Sequence, residues 1–63
     1  MSEVTRIELE LPDVEALALA QFVKRLTWGG MRECAVDEAE TRQIRAAIER
    51  LQAALREAGW APR

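Results

Sequence analysis

Residues 37–58 carry the strongest constraint in this chain, because they spell out one long amphipathic helix. Ile44, Ala47, Ile48, Leu51, Ala54, Leu55 and Ala58 recur at spacings of three and four. At about 100° per residue these positions share one face. Arg42, Arg45, Glu49, Gln52 and Arg56 fall opposite. An apolar stripe of that length calls for cover, and in a chain of 63 residues that cover comes from helix packing or from association with another chain. Both ends carry stop signals. Asp37 stands where a helix cap is expected, and Glu40, three residues on, gives a variant of the capping-box spacing. Glu38 and Arg42 are ordered for an i, i+4 ion pair. Gly59 is placed just beyond the helix end, where Trp60 can fold back onto Leu55, and Pro62 forbids continuation.

Upstream, Asp13 follows Pro12 in a capping position and opens a helix expected over residues 13–27. Leu19, Phe22, Val23 and Leu26 form one stripe, while Gln21, Lys24 and Arg25 form the polar side. Val14 and Leu17 fall towards that polar side, so the helix is apolar on more than one face. Such a helix is usually buried on more than one face, and in so short a chain the second cover is expected from another subunit. Gly29-Gly30 are expected to break this helix, with a turn or short helix over residues 29–36.

Residues 4–11 follow a different period. Ile7, Leu9 and Leu11 alternate with Arg6, Glu8 and Glu10, the pattern of a half-buried strand. A single strand has no ladder partner within its own chain. Its backbone groups need partners, and a free edge invites another chain. The expectation is an antiparallel ribbon between two copies, or else a strand offered to a different protein's sheet. The expected fold is therefore mainly α with one short N-terminal β-strand. Its order is β-α-(short α)-α, one domain over residues 1–63, with a helical hairpin and a homodimer interface through Ile7, Leu9, Leu11, Val14 and Leu17.

Size and composition narrow the function. A chain this short is marginal as an isolated domain, and small scaffolds are commonly held by disulfides, metals or partners. One cysteine excludes an internal disulfide, and the absence of histidine removes the commonest nitrogen ligand of zinc and copper. No metal or cofactor is expected. Cys34, beside Ala35 and Val36, reads as a small buried hydrophobe rather than a reactive thiol. No nucleophile–base pairing or phosphate-binding loop is visible, so no enzymatic activity and no catalytic residue are expected. Glu8 and Glu10 read as the solvated face of the strand. Arg42, Arg45 and Arg56 are interleaved with Glu49 and read as a solvated helix face. The net charge of −2 argues against life on phosphate backbones. No apolar run reaches a bilayer span, the start Met1-Ser2-Glu3-Val4 lacks signal-peptide features, and a cytoplasmic location is expected. Trp28, Glu8 and Glu10 are the candidate contacts to a protein partner.

Two resemblances bear on function. A strand, Leu11-Pro12 and two helices in a dimer resemble the ribbon-helix-helix repressors over Arg6 to about Glu33. That resemblance implies a DNA-binding regulator whose strand face reads bases. Here that face is Arg6, Glu8 and Glu10, and its carboxylates have the wrong sign. The segments 16–25, 32–36 and 54–63 look like a set of short bacterial proteins of unknown function from prophages and other mobile elements, and this likeness covers residues 7–63. It implies a small non-catalytic protein that binds a host protein, CRISPR and other defence machinery included.

Overall fold

The computed structural model describes residues 3–60. Three helices follow in order: α1 (Asp13–Arg25), α2 (Trp28–Cys34) and α3 (Glu38–Glu57). Both α1 and α2 pack against α3, and the molecule is flat, measuring 33 × 29 × 16 Å. Among the described residues no helix is long and apolar enough to cross a membrane.

The expected N-terminal strand and its ribbon are absent. Among the described residues there is no β-strand, and residues 3–12 run as an extended arm without a ladder. No backbone hydrogen bond reaches residues 3–11 from any described residue. The expectation failed on a physical point. Unpaired backbone groups are costly only when buried, and the arm from Glu3 to Glu10 is exposed, where water satisfies them. The outline likeness to ribbon-helix-helix dimers thus lacks the ribbon itself.

α1 forms because Ala16, Leu17, Ala18, Leu19 and Ala20 are good helix formers. Its start differs from the expected cap. Pro12 occupies the cap position and makes no side-chain cap bond, while its carbonyl accepts from Glu15 N at 3.0 Å and Ala16 N at 2.9 Å. Asp13 lies inside the first turn with Glu15, where negative charge suits the helix dipole. The end also differs. The break comes at Leu26, whose ψ of 130° is extended, and not at Gly29-Gly30. Thr27 then caps α2, its Oγ1 accepting from Gly30 N at 3.1 Å. The two glycines therefore sit within α2 and do not interrupt α1.

α3 begins on the expected cap. Asp37 Oδ1 accepts from Glu40 N at 2.8 Å, and Glu40 Oε1 accepts in return from Val36 N at 3.3 Å. The reciprocal bond reaches one residue further back than in a standard capping box. Beside it, Thr41 is fully buried and satisfied, its hydroxyl donating to the Asp37 carbonyl at 2.9 Å. The exposed flank carries Glu38–Arg42 at 3.8 Å and Arg45–Glu49 at 3.4 Å. Pairs so exposed contribute at most about 1 kcal/mol each.

The core is small. Ala16, Ala20 and Val23 from α1, Met31 from α2 and Leu55 from α3 are its buried apolar residues. Cys34, expected inside, is exposed at the end of α2. Because so little is buried, the cap at Asp37 matters more than it would in a larger domain. Asp37→Ala is expected to lower the unfolding free energy by about 1 kcal/mol. A urea titration followed by circular dichroism should show an earlier midpoint with an unchanged slope.

Candidate protein-binding cleft

The last turn of α3 borders an open cleft. Beyond Ala58 the backbone turns left-handed at Gly59, with φ of 93°. Trp60 N then donates to the Leu55 carbonyl at 2.7 Å and Gly59 N to the Arg56 carbonyl at 3.0 Å. These two bonds are the Schellman pattern. They return Trp60 to the side of α3 that carries Leu55, and both residues line one cleft. Pro62, expected to bar continuation, lies outside the described residues.

The cleft holds about 740 Å³, well within the range of ligand sites. Its floor is the C-terminal half of the α3 stripe: Ala47, Leu51, Ala54 and Ala58 beside Leu55. α1 supplies one wall through Ala16 and Leu19. The arm supplies the roof through Thr5, Ile7, Leu9 and Leu11, and among the described residues Arg50 is the one charged member of the lining. Alternation in the arm thus marks which side faces the helices, although no strand forms. Its other side carries an exposed Arg6–Glu8 ion pair at 2.9 Å together with Glu10.

The roof does not fill the cleft. Ile7 keeps 83% and Leu9 64% of its surface exposed, and Ala47, Ala54 and Ala58 are exposed on the floor. The described lining therefore offers mainly apolar contact, with the Thr5 hydroxyl and the Arg50 guanidinium at its edge. Among the described residues no group of three or more His, Cys, Asp and Glu side chains could hold a metal.

The residues expected at an interface divide between two places. Ile7, Leu9 and Leu11 lie in the arm and line the cleft, whereas Val14 and Leu17 are exposed on α1 and do not. Trp28 begins α2, with 40% of its surface exposed, and takes no part in the lining. Glu8 and Glu10 are exposed on the side of the arm away from the helices. Sequence reasoning missed the floor and the wall. The available signal was the length of the α3 stripe, which a partner helix of only 13 residues cannot cover.

Gly59 controls the return of Trp60, because a side chain at that φ is strained. Gly59→Ala is expected to cost about 1 kcal/mol. In a Trp28→Phe background, a red-shifted emission from Trp60 would report its loss from the cleft, and an unshifted spectrum would show that the turn persists.

No curated protein and no solved structure matches the chain. Residues 1–63 match the family described as "Family of unknown function (DUF7706)", and the chain belongs to that family.

Proposed function

We propose that this chain is a non-catalytic protein-binding protein whose cleft receives an apolar segment of a partner protein. The observation that carries the reading is the unfilled cleft between the arm and α1/α3, whose described lining is apolar apart from Thr5, Arg50 and the indole N–H of Trp60. Apolar burial is the main source of affinity between proteins. Ile7, Leu9, Ala54 and Ala58 supply surface that folding of this chain leaves in water. The arm suits this role because, among the described residues, no ladder or backbone bond holds it, and it can settle on a seated segment as binding removes its side chains from water. Arg50 adds a single cation at the border, able to meet an acidic residue of the partner.

The resemblance to prophage and mobile-element proteins adds a context, in which the partner is a host protein of the cytoplasm, defence machinery included. That part of the proposal rests on the resemblance alone.

The test is affinity capture from a lysate of the cell that encodes the chain, comparing wild type with Leu9→Asp. The substitution lies on the exposed arm, so helical circular dichroism is expected to remain unchanged. A stoichiometric partner held by wild type and lost by Leu9→Asp supports the reading. Capture of no partner, or of one indifferent to Leu9→Asp, overturns it.

A further inference from the structure

α1 carries a second apolar face, separate from the cleft. Ala16, Ala20 and Val23 are buried, and Ala16 and Leu19 border the cleft. On the outer side, Val14, Ala18 and Phe22 follow one another four residues apart. Such residues form a row along a helix, each step rising about 6 Å. Val14 is 76% exposed and Phe22 59%, and Leu17 beside them is exposed too. Nothing within the described chain covers this row.

We propose that the row is closed by a second copy of the chain, the two α1 helices packing antiparallel about a two-fold axis at Ala18. Two observations select this occupant. The first is the pattern of side-chain sizes. A small residue at the centre permits close approach, and the two larger residues stand four positions to either side. A two-fold axis through Ala18 sets each Val14 opposite the partner's Phe22, so that one patch complements itself. The second is charge. Glu15 lies in the first turn of α1 and Arg25 in the last, and both flank the outer row. Antiparallel packing brings the acidic turn of one copy to the basic turn of the other and opposes the helix dipoles, whereas parallel packing sets like charges together. Exposed pairs of this kind add little stability; they fix direction.

This interface uses neither the cleft nor a β-ribbon. It leaves the cleft of each copy open, so self-pairing and partner binding stand on different surfaces and are tested separately.

Sedimentation of the wild-type chain at micromolar concentration is expected to show about twice its 7.1 kDa mass, and Phe22→Asp is expected to sediment as a helical monomer. In a Cys34→Ser background, Ala18→Cys is expected to give a disulfide-linked dimer under mild oxidation. A cysteine introduced by Arg42→Cys, on the exposed flank of α3, is expected to stay monomeric. The cross-link decides the matter even where Phe22→Asp fails to fold, because a cysteine replacing an exposed alanine hardly alters the surface. A wild-type chain that sediments as a folded monomer overturns the proposal, as does Ala18→Cys cross-linking no better than Arg42→Cys. Neither result bears on capture through the cleft, which is read with Leu9→Asp.

Discussion

The structure depends on one mismatch: α3 carries more apolar face than the rest of the chain can bury. α3 has 20 residues, while α1 has 13 and α2 only 7. At about 1.5 Å per residue, α3 is roughly 30 Å long against roughly 20 Å and 10 Å for the other two. Cover is therefore uneven. Near the start of α3, Thr41 is fully buried, and near its end Ala54 and Ala58 lie in the open. The cleft is the uncovered remainder of a stripe that runs the whole helix. Its existence follows from helix lengths, not from any special chemistry of its lining.

The same shortage shows in α1. A helix whose interior side holds two alanines and a valine spends little of its apolar content inside. Val14, Leu17 and Phe22 remain outside. Fully burying a side chain of this size stabilises by about 1.5–3 kcal/mol, so the uncovered residues represent a stabilisation comparable to what the small core supplies. What holds the isolated chain in shape is mostly local: the Thr27 and Asp37 caps, the Schellman turn at Gly59 and the buried hydroxyl of Thr41. These bonds define where helices begin and end. They do little to fill space, which is why a chain with well-made helix ends is left with two open apolar surfaces.

Local signals with a short reach were legible in the residues alone. Asp37 with Glu40, and Gly59 with Trp60, needed only their neighbours to act, and both form. The ends of α1 were not legible in the same way. Pro12 displaced Asp13 from the cap, because its fixed φ already suits the approach to a helix. Thr27, not the glycine pair, set the break before α2, because a hydroxyl that satisfies a free N–H starts a helix more firmly than glycine ends one. The arm was misjudged for a related reason. Alternation of Ile7, Leu9 and Leu11 determines which side faces inward, but a strand requires a second strand, and that is a non-local fact.

What the sequence by itself determined is a mainly helical chain, the long amphipathic α3 and the signals at its two ends, Asp37 with Glu40 and Gly59 with Trp60. These follow from residue types and spacings that act over four or five positions. What only the tertiary structure decided is where the surplus apolar surface lies. Ile7, Leu9 and Leu11 join Leu51 and Trp60 around a cleft, while Val14 and Leu17 stand apart on another face of α1. Sequence spacing places residues around a single helix axis. It cannot say which faces the neighbouring helices cover, since that depends on how three rods of unequal length pack together.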